Sequence, residues 1–115
     1  MEFEVNESIG VFAENGEFEN VDTWLYEFYE KEFITKNMYD FFISKLKDVS
    51  ITGGFKGFSR MMFSGMEVTM YTACISYKNE VVIELNEDET VLDTVTTVIW
   101  SNDFIKTYNL QDERN

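Results

Sequence analysis

Carboxylates are the side chains of this sequence best suited to chemistry, and Glu87-Asp88-Glu89 with Asp93 is a dense group of them. Oxygen donors this close could hold Mg²⁺ or Ca²⁺. An EF-hand loop, however, requires alternating ligands around a central glycine, and this segment has neither. The same residues suit the first turn of a helix, where the macrodipole favours negative charge. A charged helix start, not a metal site, is therefore expected. Gly53-Gly54-Phe55-Lys56-Gly57 superficially suggests a phosphate loop. It lacks the P-loop spacing, no Gly-Lys-Ser/Thr follows it, and the Rossmann spacing is absent. Its glycines instead mark a connection between a helix and a strand.

The chain has no histidine and a single cysteine, Cys74. No Ser-His or Cys-His pair can form, and His-based zinc sites and thiolate clusters are excluded. No enzyme activity, metal or other cofactor is expected. One cysteine allows no intramolecular disulfide, which favours a reducing compartment. In the run Thr72-Ala73-Cys74-Ile75 it reads as a small buried core residue.

Charge is the more telling feature. The chain carries 22 acidic and 9 basic residues, a net charge of −13. Its first thirty residues contain no Lys or Arg, but do contain Glu2, Glu4, Glu7, Glu14, Glu17, Glu19, Asp22, Glu27 and Glu30. A field of one sign attracts basic partners and repels nucleic acid and anionic membranes. Lys56 and Arg60 are too few to make a nucleic-acid surface on such a chain. At 44% hydrophobic and 17% aromatic residues, the chain is nonetheless far too apolar to be an acidic disordered tail. Its 115 residues fit one domain, 1–115. No basic region precedes an apolar stretch at the N-terminus, and no apolar run approaches the ~20 residues of a membrane span. A cytoplasmic protein with no membrane contact is expected.

The elements that must position these residues follow from period and punctuation. Ile9, Val11 and Ala13 alternate ahead of Asn15-Gly16, the favoured pair for a hairpin turn, so residues 8–19 read as a β-hairpin. Residues 22–33 read as a helix capped by Asp22, with Glu27 and Lys31 as an i,i+4 pair. That helix cannot bury Trp24, Tyr26, Phe28 and Tyr29 together. Trp24 and Phe28 are expected inside, with Tyr26 outside beside Glu27 and Glu30. A second helix, capped by Thr35, is expected from Lys36 to Val49, its apolar face made by Met38, Phe41, Phe42, Leu46 and Val49 and its last turns holding Lys45 and Lys47. The period then changes to two. Strands are expected at Phe58–Phe63, Glu67–Tyr77 and Val81–Leu85, with turns at Ser64-Gly65 and Lys78-Asn79. Residues 87–100 are rich in Val and Thr. Yet Val91, Leu92, Val95, Val98 and Ile99 follow helical spacing, and Asn86 with Glu89 resembles a capping box, so a helix is expected. A short helical turn near Asp103–Tyr108 follows. The fold class is α+β: an N-terminal β-hairpin and two helices, a three-stranded antiparallel meander and a C-terminal helix. Val68, Met70, Ile75, Val81, Ile83, Val95 and Ile99 are the expected buried face.

This profile implies a protein that works by binding. Carboxylates on a rigid scaffold can stand in for phosphates and meet Lys/Arg clefts. The chain resembles, in composition and in no motif, phage-encoded anti-restriction and anti-CRISPR proteins and other DNA mimics. That likeness implies an inhibitor, used in evasion of antiviral defence, of a nucleic-acid-processing enzyme with a basic surface. An immunity protein neutralising a toxin such as a nuclease fits the same physics, and a non-inhibitory structural or ligand-binding domain is the alternative of another class. The expected partner-binding residues are Glu14, Glu17, Glu19, Asp22, Tyr26, Glu27 and Glu30, then Glu87, Asp88 and Glu89.

Overall fold

A computed structural model describes residues 1–10, 13–60 and 65–111. Those residues form an α+β fold, with six strands in one antiparallel sheet and three helices. In chain order the elements are β1 (Glu2–Val5), β2 (Gly16–Glu17), α1 (Val21–Glu30), α2 (Lys36–Ser44), β3 (Val49–Arg60), β4 (Glu67–Tyr77), β5 (Glu80–Glu89), β6 (Thr94–Trp100) and α3 (Asn102–Thr107). The sheet order is β1-β6-β5-β4-β3-β2.

The expected meander is the centre of this sheet, but it is larger than three strands. Residues 87–100 are not a helix. β5 runs on to Glu89, a turn follows, and β6 returns beside it with Glu84 opposite Ile99 and Asp88 opposite Val95. Thr90 builds the turn: its N–H donates to the Asp93 carbonyl at 2.8 Å and its hydroxyl accepts from the Asp93 N–H at 3.1 Å. The β propensity of Val and Thr, together with pairing to β5, outweighs the helical spacing. The expected capping box is not formed, since Asn86 and Glu89 lie within a strand.

The expected N-terminal hairpin is not formed among the described residues. Gly16 and Glu17 pair with Gly53 and Thr52 of β3; residues 11 and 12 of the expected hairpin lie outside the described residues. Gly16 has a positive φ of 94°. The Asn15 side chain has a different task, accepting the Phe55 N–H at 3.0 Å. Gly53-Gly54 does not break the chain either. β3 starts at Val49, not at Phe58, and carries both glycines inside it. A Cβ on Gly53 would collide with the Thr72 carbonyl, and one on Gly54 with the Asn15 side chain. These glycines serve close approach, the other use of glycine in a strand. The outer part of the expected strand, Met61–Phe63, and Ser64 of the expected turn lie outside the described residues.

The helices keep most of their expected bounds. Asn20, in a left-handed conformation, precedes α1, so Asp22 lies inside the helix and does not cap it. Thr35 caps α2, its hydroxyl accepting from the Met38 N–H at 3.2 Å. α2 ends at Ser44; a short 3₁₀ turn, Leu46–Asp48, leads into β3, so Lys45 and Lys47 lie beyond the helix. Ser101 caps α3.

Strand alternation divides the sheet into two faces. Rows of paired residues build the inner face: Phe3, Val98, Leu85 and Ala73 in one row, then Trp100, Ile83, Ile75 and Ile51. The helices contribute Leu25, Phe28, Met38, Phe42 and Phe104 to the same buried core. Trp100 is the largest fully buried side chain, and its indole N–H donates to the Phe33 carbonyl at 2.9 Å. Ile75 and Ile83 are buried as expected. Val81 is 57% exposed, because a bulge shifts the register between Ile75 and Ser76 and brings Val82 inside in its place. Val68, Met70, Val95 and Ile99 also differ from expectation. They occupy the opposite, outer face and are only partly buried.

Candidate protein-binding surface

α1 turns Leu25 and Phe28 into the core. Trp24 is partly buried, its ring 4.9 Å from Phe18 and 5.9 Å from Phe28. The first of these contacts ties the strand β2 segment to α1. The opposite side of the helix carries Asp22, Tyr26 and Glu30 at i,i+4 spacing, with Glu27 beside them, all exposed. Tyr26 is 48% exposed. Its hydroxyl hydrogen-bonds to the Glu30 carboxylate, and this bond, with the negative charge itself, holds the phenol above the usual tyrosine pKa.

Tyr26 does not stand alone. Its ring centroid lies 6.3 Å from Tyr29 and 6.0 Å from Tyr39 of α2, and Tyr29 and Tyr39 stack at 5.4 Å. The sequence reading missed Tyr39. Its signal was available: two helices with a short connection pack side by side, and Tyr39 flanks the apolar stripe of Met38 and Phe42. The result is a surface of three phenols with Glu27 and Glu30 around them. Aromatic faces attract cations, and guanidinium groups above all stack on them.

Glu14, Glu17 and Glu19 are exposed along the β2 segment that leads into α1. Among the described residues, none of Glu14, Glu17, Glu19, Asp22, Glu27 and Glu30 is in an ion pair; the pairs there are Lys36–Asp40 at 2.9 Å and Arg60–Glu67 at 3.6 Å. The expected Glu27–Lys31 pair is not formed. Lys31 points its ammonium to the Ser8 carbonyl at 2.7 Å and the Ile9 carbonyl at 3.5 Å, where it helps hold the chain after β1.

The C-terminal cluster is pulled apart by strand alternation. Glu87 is 1% exposed on the inner face and accepts the Ile9 N–H at 2.6 Å through Oε1. It cannot meet a partner in the folded protein. Its task is architectural, shared with buried Thr96, whose hydroxyl donates to the Glu7 carbonyl at 2.6 Å. Asp88 lies exposed on the outer face, and Glu89 is exposed at the end of β5. Among the described residues no three His, Cys, Asp or Glu side chains converge on a common point. Nor do those residues include a helix long and apolar enough to cross a membrane.

The chain matches no protein-family model, no curated protein and no solved structure. Functional inference therefore rests on its own surface.

Proposed function

We propose that this chain is a stoichiometric protein ligand: a small acidic domain that occupies a basic surface of another protein, such as the nucleic-acid groove of a processing enzyme, and inhibits it. One observation carries the reading. An aromatic surface, Tyr26 with Tyr29 and Tyr39, is set among the exposed carboxylates Asp22, Glu27 and Glu30, which form no ion pair within the described residues. Carboxylates supply the field and fast association; tyrosines supply contact area at low entropic cost. Arg side chains of a groove that normally meets phosphates fit both features. Glu14, Glu17 and Glu19 extend the charge along the β2 side.

The test begins with affinity capture from host cells, followed by titration of the captured protein in purified form. Binding should weaken with salt and compete with the partner's nucleic acid. The Glu17→Lys/Glu27→Lys/Glu30→Lys variant, shown to be folded by circular dichroism, should bind at least about tenfold more weakly, because each exposed pair contributes up to ~1 kcal/mol and reversal adds repulsion. Unchanged affinity with no dependence on ionic strength would remove this surface.

A further inference from the structure

The two edges of the sheet are built differently. β1, at one edge, is four residues long and carries Glu2 and Glu4, both exposed. Short length and charge are ordinary means of keeping an edge from pairing with another chain. At the other edge, β2 pairs only Gly16 with Gly53 and Glu17 with Thr52 of β3, and the Asn15 side chain then accepts the Phe55 N–H. β3 itself runs on to Arg60. Among the described residues, no strand lies beside Lys56–Arg60 on the side away from β4. This leaves about 17 Å of strand edge open.

A bulge decides what this edge presents. Phe55 is opposite Tyr71, Gly57 opposite Met70 and Phe58 opposite Thr69, so Lys56 is the extra residue. Tyr71 and Thr69 share one face of β4, and the bulge therefore sets Phe55 and Phe58 on one face although they are three apart in sequence. It is the inner face, since the row of Phe55 continues through Tyr71 to Glu87. Yet Phe55 is 53% and Phe58 69% exposed, so the helices cover neither ring. The Phe55 N–H points away from β4, and alternation across the bulge turns the backbone groups of Phe58 the same way. Open backbone groups and two exposed rings thus lie side by side. An occupant must be extended, because a strand is what returns a hydrogen bond to each open backbone group. Apolar side chains at alternate positions would cover the rings. Lys56 and Arg60 flank Phe58 and are the only basic residues between Lys47 and Lys78, so acidic side chains at the ends of the segment fit and basic ones do not. Arg60 meets Glu67 at 3.6 Å with both side chains largely exposed, which leaves it able to meet a second carboxylate. A second copy would run Lys56 and Arg60 alongside their own kind, besides opposing two net charges of −13.

We infer that the Lys56–Arg60 edge of β3 accepts, by strand addition, an extended segment of a partner protein that is apolar at alternate positions and carries Asp or Glu at its ends. This edge is distinct from the α1 surface and does not depend on that reading.

The probe is a synthetic peptide of alternating valine and threonine, blocked at its termini and with glutamate at each end, titrated into isotopically labelled protein. The Phe58 amide resonance should shift and its hydrogen exchange should slow, while the amides of β1 and of the Tyr26 surface stay in place. Methylating the peptide's backbone nitrogens on the side that faces β3 should abolish binding, since the ladder is lost while side chains and charge are kept. Phe55→Ala/Phe58→Ala should weaken binding about tenfold or more. Both rings are exposed, so the variant is expected to fold, which circular dichroism checks; if it does not, the methylated peptide still decides. Absence of amide shifts at Phe58 would overturn the inference, and so would equal binding by the methylated peptide. Tighter binding by a peptide with lysine at its ends would mean that the net charge of the protein, and not this edge, selects the occupant, and would overturn it too. Dimerisation in sedimentation experiments, abolished by the double alanine variant, would assign the edge to a second copy with the same consequence.

Discussion

Glu87 and Asp88 are adjacent in β5 and lie on opposite faces of one sheet. Glu87 is buried, with its carboxylate on the Ile9 N–H, whereas Asp88 is exposed on the outer face between Met70 and Val95. The same division runs through β6. Thr96, Val98 and Trp100 are buried, while Val95, Thr97 and Ile99 are partly exposed. On the inner face a side chain is judged by how well it fills space and satisfies polar groups. On the outer face it is judged by what could come to meet it. Residue type alone does not separate the two, because both faces carry apolar and acidic residues.

Truncating the core should have the largest effect. Trp100→Ala removes the indole, its hydrogen bond to the Phe33 carbonyl and its edge contact with Phe3 at 4.7 Å. A loss of about 3–5 kcal/mol is expected in denaturant unfolding. Ile99→Ala, one position away on the outer face, should cost less, about 1–2 kcal/mol, since its side chain is only partly removed from water. Comparable losses at both positions would mean that the outer face is covered in solution.

The acidic pair sharpens the contrast. Glu87→Ala leaves the Ile9 N–H without its acceptor and loosens the chain after β1, at an expected cost of about 2–4 kcal/mol. Glu87→Gln, which keeps an acceptor, should cost less. Asp88→Ala should stay within about 0.5 kcal/mol of the unchanged protein. If both alanine variants melted alike, the buried carboxylate would not be the anchor described.

What the sequence revealed followed the range of its signals. α1, α2, the Thr35 cap, the Lys78-Asn79 turn, β4 and α3 rest on local patterns, and all were legible. Lys78 and Asn79 even take the positive φ values, 51° and 67°, that such a turn requires. β6 was not legible because it is apolar on both faces, which hides a period of two and leaves a chance helical spacing visible. β3 was cut short because Gly53-Gly54 reads as punctuation, and only the facing Thr72 backbone and Asn15 reveal its packing role. Of the candidate site, the exposed acids and Tyr26 were legible from charge and helix spacing. Tyr39 was signalled by the short connection between α1 and α2, whereas the burial of Glu87 depends on Ile9, far away in sequence.

Cys74 offers the mildest test of the outer face. It lies in β4 between core residues Ala73 and Ile75, yet faces outward and is only partly buried, opposite Glu84. Burial, and then the Glu84 charge, pushes its thiol pKa above the usual cysteine value. The thiolate is the reactive form, so a raised pKa leaves less of it at neutral pH. Native protein should therefore be alkylated measurably but more slowly than a free cysteine, and the rate should rise with pH to a midpoint displaced upward. Glu84→Gln removes the smaller of the two causes and should speed the reaction modestly. A thiol inert until global unfolding would show that something covers this face. One reacting as fast as a free cysteine would show that β4 opens there more readily than its place at the centre of the sheet allows.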